Sequence, residues 1–167
     1  VFSIRFVLHF KNEEDTMIIV DLDGTVADCS HRTHYVKSAV KNWDAFNKAC
    51  IHDKPIHNII ELVKRYVASI DTPIVFLTGR SDIVRKETEV WLNTYFPEME
   101  LGEDYMLVMR KDGDFRPDHI VKPRLLDEFL KQYDMPPVHF ILEDRTAVVQ
   151  AWRKLGYTCL QVAEGDF

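Results

Sequence analysis

Cysteine is scarce: the 167 residues hold only Cys29, Cys50 and Cys159, an odd number without C-x-x-C spacing. That argues against a disulfide framework or a thiolate metal site and leaves free thiols packed as small hydrophobes. Long apolar runs are missing too. None approaches the ~20 residues needed to span a bilayer, and the apolar opening Val1 to Phe10 is broken by Arg5 and His9 and lacks a small-residue cleavage site. The expectation is a soluble, cytoplasmic protein with no membrane partner. No Gly/Ser linker, repeat or block of like charge occurs, so solenoids and low-complexity tails are excluded. Positive charge is in deficit: 27 acidic against 21 basic residues give a formal charge of −6, which disfavours tight binding along a nucleic-acid backbone. A nucleotide or a strand end stays open as ligand.

What is present is the composition of a globular domain, 46% hydrophobic and 29% charged. A chain of this length buries roughly 68–70% of its unfolded surface in one core and needs no structural metal to fold. Apolar stretches at Met17–Leu22, Pro73–Leu77, Tyr105–Met109, Val138–Leu142 and Thr158–Val162 predict strands, and helical spacing predicts helices near 56–69, 82–95, 120–133 and 145–155. That alternation implies an α/β fold, a parallel sheet sandwiched by helices. Residues 28–55 interrupt it and predict a small helical insert after the first strand, placed to act as a cap. Residues 17–167 form the expected single domain; 1–16 are an N-terminal extension or accessory strand. Monomer and homodimer are both open.

Open parallel sheets bind ligands beyond the carboxyl ends of their strands. Those ends are polar here: Asp21-Leu22-Asp23-Gly24-Thr25, Thr78-Gly79-Arg80 and Glu143-Asp144-Arg145, with Lys122 at the start of a helix. Two aspartates two apart point to opposite sides of a strand, but a tight glycine turn directly after them can bring both to one pocket. One carboxylate can then attack while the other manages protons. Phosphoryl transfer needs such a nucleophile, positive charge on the nonbridging oxygens and an acid for the leaving oxygen.

The stretch Ile18-Ile19-Val20-Asp21-Leu22-Asp23-Gly24-Thr25 resembles the first motif of the haloacid dehalogenase-like (HAD) phosphatase superfamily. Thr78, Lys122 and Glu143-Asp144 resemble its later motifs, in the right order. Asp118-His119-Ile120-Val121-Lys122 and the segment from Glu143-Asp144-Arg145-Thr146 to the end are similar to the 3′-phosphatase domain of phage-type polynucleotide kinase/phosphatase. The resemblance covers about residues 17–167. No G-x-x-x-x-G-K-[ST] occurs, so it implies no kinase half and no 5′-kinase activity. It implies Asp21 as nucleophile and Asp23 as general acid and then base. Thr78, Gly79, Arg80, Lys122 and Arg32 would bind the phosphate, and Asp118 would orient Lys122. One Mg²⁺ would be held by Asp21, the backbone carbonyl of Asp23 and Asp144. Glu143 stands where the family often has Asp, and is given a supporting place. The substrate implied is a nucleic-acid 3′ end.

Alternatives stay in view. The acidic charge suits a 5′ or 3′ nucleoside monophosphatase acting on free nucleotides. A receiver-like phosphoacceptor domain also gathers Asp, Thr and Lys, but carries its phosphoacceptor on the third strand rather than the first. His52-Asp53 is not joined by further spaced ligands of an HD-type metal site. Tyr35, Trp43 and Phe46 form either a small core for the insert or a surface on which a base stacks. Arg110, Lys111, Arg116, Lys122 and Arg124 bring some positive charge for a strand end, with acids interleaved. Trp91 and Trp152 sit at core spacing.

Overall fold

The computed structural model describes residues 15–70 and 72–165, so all but Asp15 and Thr16 of the expected extension lie outside the described residues. Strand β1 (Met17–Val20) is the centre of a five-stranded sheet whose other members are β4 (Ile74–Ser81), β5 (Tyr105–Arg110), β6 (Val138–Arg145) and β7 (Cys159–Gly165). Their order is β5-β4-β1-β6-β7 and every pairing is parallel. The α/β class read from the alternation is therefore the observed one.

All four β1 residues are buried, as expected of a strand covered on both faces. Alternation sends Ile18 and Val20 to one face, against Ile60 and Val63 of α3 (His57–Ile70) and Trp91 and Leu92 of α4 (Arg85–Tyr95). Met17 and Ile19 go to the other, against Leu126 and Phe129 of α5 (Asp118–Gln132) and Val148 and Trp152 of α6 (Thr146–Lys154). Trp91 and Trp152 are core, and all three cysteines are buried and free. No helix among the described residues is long and apolar enough to cross a membrane.

The insert is closed at its base by a two-stranded antiparallel ribbon, β2 (Ala27–Asp28) with β3 (Lys54–Pro55). Inside it lie α1 (His34–Lys37), α2 (Trp43–Lys48) and 3-10 turns at Ser30–Arg32 and Ala49–His52. Trp91 Nε1 donates to the carbonyl of Asp53 at 2.8 Å, fastening the insert to the core.

The strands outrun the apolar stretches that predicted them. Strand β4 continues through Thr78-Gly79-Arg80 to Ser81, and β6 through Glu143-Asp144 to Arg145. Polar residues stay in the ladder because they are buried and find partners within the fold. The register shifts there: Thr78 and Ser81 face the consecutive residues Met109 and Arg110, and a second shift lies between Glu143 and Arg145. Such bulges re-aim side chains at strand ends. Helix α5 begins at Asp118 rather than 120, after Pro117, whose fixed φ suits entry to a helix.

Candidate active site

Asp21 follows β1 directly, its N–H donating to Leu142 O at 3.0 Å. The next turn folds back so that Leu22 O accepts from the N–H groups of Thr25, Val26 and Ala27. Gly24 in that turn has φ +88, and a Cβ there would stand 2.1 Å from Asp144 Oδ2. Only glycine meets both demands. Gly165 closes on the same carboxylate, 1.9 Å from the place of its own absent Cβ. Asp144 thus lies in a cradle of two glycines, with Oδ1 buried and unpartnered.

Asp21, Glu143 and Asp144 bring carboxylate oxygens within 4.8 Å of one another, all three buried. Lys122 Nζ donates to Asp21 Oδ1 and Glu143 Oε2 at 2.7 Å each. Burial and the charge of Glu143 push Asp21 well above the usual carboxylate range and raise Asp144 to about 7. Burial alone would lower the Lys122 ammonium, but Asp21 and Glu143 outweigh it and hold the group protonated. Three hard oxygen donors, an orphaned carboxylate oxygen and a single lysine against three carboxylates fit a divalent cation such as Mg²⁺.

Asp23 stands apart from that cluster. Its Oδ1 accepts from Arg32 Nη2 at 2.6 Å and from Arg80 Nε and Nη2 at 2.8 and 2.5 Å. Both arginines also reach Asp53: Arg32 through Nε and Nη2 at 2.7 Å each, Arg80 through Nη2 at 2.6 Å. His31 Nε2 lies 2.9 Å from the same carboxylate. Burial would raise Asp23, but the charges of Arg80 and Arg32 prevail and keep it well below the ordinary range.

Three of the four motif carboxylates are thus divided between two cation sets, Lys122 for Asp21 and Glu143, Arg32 and Arg80 for Asp23, while Asp144 bonds neither set. Asp53 enters the sequence reading only beside His52, as a pair that lacks the further ligands of an HD-type metal site; the role seen here was not legible because its partners lie 21 and 27 positions away.

Lys122 is held by Asp21 and Glu143, not by Asp118. The Asp118 carboxylate instead accepts from Arg110 Nη2 and from Arg145 Nη1, the latter at 2.5 Å. Gly79 lets the β4 bulge pass close to it, since a Cβ would meet Asp118 Oδ1 at 2.7 Å. Thr78 is fully buried, its hydroxyl accepting from Arg80 N–H at 3.2 Å. The expected basic stretch does not form one patch: Lys122 is buried, and Arg124 pairs with Glu128 on the exposed face of α5.

Above these groups a cleft of about 670 Å³ opens, within the usual range of small-molecule sites. Asp21, Asp23, Arg80, Lys122, Glu143 and Asp144 line it, with α1 and α2 of the insert contributing further residues and the 110–117 segment others.

A parallel sheet with paired aspartates after its first strand, a buried lysine and an acidic pair after β6 defines a HAD-like hydrolase of the phosphatase type. The chain belongs to the polynucleotide kinase PNKP phosphatase-domain family, whose model it matches over residues 15–167. It is 30% identical over 139 residues to an Autographa californica nuclear polyhedrosis virus protein named as a bifunctional polynucleotide kinase/RNA ligase, covering 83% of this chain and 18% of that one. A chain of the Pnkp1/Rnl/Hen1 RNA repair complex superposes with TM-score 0.74 at 27% identity, over 99% of this chain and 48% of that chain. A haloacid dehalogenase-like hydrolase of Streptococcus pneumoniae shares the fold alone, with TM-score 0.58 at 15% identity over 88% of this chain and 84% of its own. The chain thus spans about half, or less, of the length of the viral relative and of the repair-complex chain.

Proposed function

We propose that these residues form a Mg²⁺-dependent phosphomonoesterase that removes terminal 3′-phosphates from polynucleotides. The observation that carries the reading is Asp21, a buried carboxylate on the cleft floor with Lys122 at 2.7 Å and Asp23 two residues on. An Asp21 oxygen attacks phosphorus and the bond to the 3′ oxygen breaks. The leaving oxygen takes a proton from Asp23, and an aspartyl-phosphate forms. Asp23 then draws a proton from water, whose oxygen attacks phosphorus, and phosphate leaves with Asp21 restored.

Lys122, Arg80, Arg32, Gly79 and Thr78 serve the phosphoryl oxygens. Arg32 and Arg80 now donate to Asp23 and Asp53, so a phosphate dianion that draws them away also raises the proton affinity of Asp23, which takes a proton from solvent before it acts as acid. Asp21, Asp144 and the Asp23 carbonyl would hold Mg²⁺, which neutralises charge on the phosphoryl group when bound. Glu143 keeps Lys122 in place, and Asp118 braces Arg110 and Arg145. The insert acts as a cap, 17–167 as one domain working on polynucleotide ends inside the cell. The 167 residues contain no P-loop for a kinase step.

The test is phosphate release with Mg²⁺ from a 3′-phosphorylated oligonucleotide, its 5′ counterpart and the matching mononucleotides, with Asp21→Asn as control. Preference for the 3′-phosphorylated strand and loss of release in Asp21→Asn are expected. Preference for mononucleotides would replace the substrate and keep the mechanism; an active Asp21→Asn would remove the nucleophile.

A further inference from the structure

Three large apolar side chains stay exposed where they meet one cleft: Trp43 of α2 at 45%, Ile83 after β4 at 59% and Phe115 before α5 at 82%. Single exposed apolar residues are ordinary, but convergence from three separate segments on the mouth of one cavity marks a binding surface.

Phe115 belongs to neither core cluster, so folding does not account for it. Its segment is nonetheless fixed: Arg110 Nη1 donates to the carbonyls of Asp114 and Arg116 at 2.8 and 2.7 Å, and Arg116 Nε bonds Asp114 Oδ1 at 2.9 Å. Trp43 is braced edge-on by Phe46, ring centroids 5.9 Å apart. Phe46 in turn lies under the Arg32 guanidinium at 4.2 Å, the group that holds Asp23. Lys37, Lys41 and Lys111 line the same cleft, and Lys41 Nζ lies 5.6 Å from the Trp43 ring. Flat apolar surface beside cations, continuous with a phosphate site, suits a ligand with an aromatic ring and an anionic backbone.

We propose that Trp43 and Phe115 form a stacking site for the nucleobase of the nucleotide that carries the scissile phosphate. The proposal deepens the polynucleotide-end reading and rests on it. Stacking accepts any base, since every base has a π face, and positions the end without reading sequence.

Trp43→Ala and Phe115→Ala should each raise KM for a 3′-phosphorylated oligonucleotide about five- to a hundredfold, with a smaller effect on kcat. A terminal abasic 3′-phosphate should cost the wild type a similar factor and the variants little more. An oligonucleotide with 2-aminopurine at its 3′-phosphorylated end should be quenched on binding Asp21→Asn protein, and less so when Phe115→Ala is added. Unchanged KM in both variants, equal use of abasic and intact ends, or quenching indifferent to Phe115 overturns the stacking site. Failure of the 3′-phosphatase reading shows differently, as no phosphate release from wild type on any 3′-phosphorylated strand. The quenching measurement still decides the stacking site then.

Discussion

The guanidinium of Arg80 donates to the buried carboxylate of Asp53 at 2.6 Å, joining the bulged end of a core strand to the base of the insert. Arg32 repeats the contact from the insert side, and both arginines go on to Asp23. Asp53 therefore positions two arginines against the residue read as acid and base. Asp53→Ala leaves two buried guanidiniums short of an acceptor, and breaking a buried pair from one side costs about 3–5 kcal/mol. The urea midpoint should fall at unchanged slope, with a loss in kcat/KM. A midpoint equal to wild type would show that the arginines are not held by Asp53.

Lys122 is the only cation bonded to the Asp21 cluster among the described residues. Lys122→Met removes its charge from the phosphoryl group and should lower kcat about 10²- to 10³-fold. Glu143→Gln keeps a hydrogen-bond acceptor for the ammonium and should lose less. Steady-state kinetics of the two variants side by side would refute this ordering if Glu143→Gln proved the worse.

The acidic cluster makes metal-free stability depend on pH. Burial and Glu143 raise Asp144 to about 7 from 3.8, so the folded chain holds its proton more tightly than the unfolded one. The resulting stability is fully present below the unfolded value and is lost as pH rises from about 4 through about 7. Mg²⁺ requires the ionised form and opposes that loss. Thermal midpoints with EDTA should decline across this window, and the gain on adding Mg²⁺ should grow with pH. A Mg²⁺ effect equal at pH 5 and pH 8 would contradict the assignment of Asp144 to the cation.

As the proposed acid, Asp23 should matter most where the leaving oxygen is a poor leaving group. Asp23→Asn should reduce release from a 3′-phosphorylated oligonucleotide, whose alkoxide needs a proton, about 10²- to 10⁴-fold. A nitrophenyl phosphate, whose anion leaves unaided, should lose much less in formation of the aspartyl-phosphate. Equal losses in single-turnover assays of the two substrates would deny Asp23 its role as acid.

The chain order of strands and helices was legible because it rests on the spacing of near neighbours. Met17–Leu22 reads as a buried strand and Ile59, Leu62, Val63 and Tyr66 as a helix from a few residues each. The catalytic candidates were legible for the same reason, since Asp21, Asp23, Gly24 and Thr25 are contiguous and Glu143 and Asp144 adjacent. What the tertiary structure alone decided is who pairs with whom. Asp23 and Asp21 are two residues apart, yet one faces arginines 9 and 57 positions away and the other a lysine 101 positions away. Asp53 and Phe115 gain their significance only when the β4 bulge, the insert and the loop before α5 meet around one cleft. Periodicity and turn chemistry are local properties that a sequence carries on its face. The pairing of buried charges follows from where distant segments come to rest, and desolvation makes that pairing decisive only once the fold has closed around them.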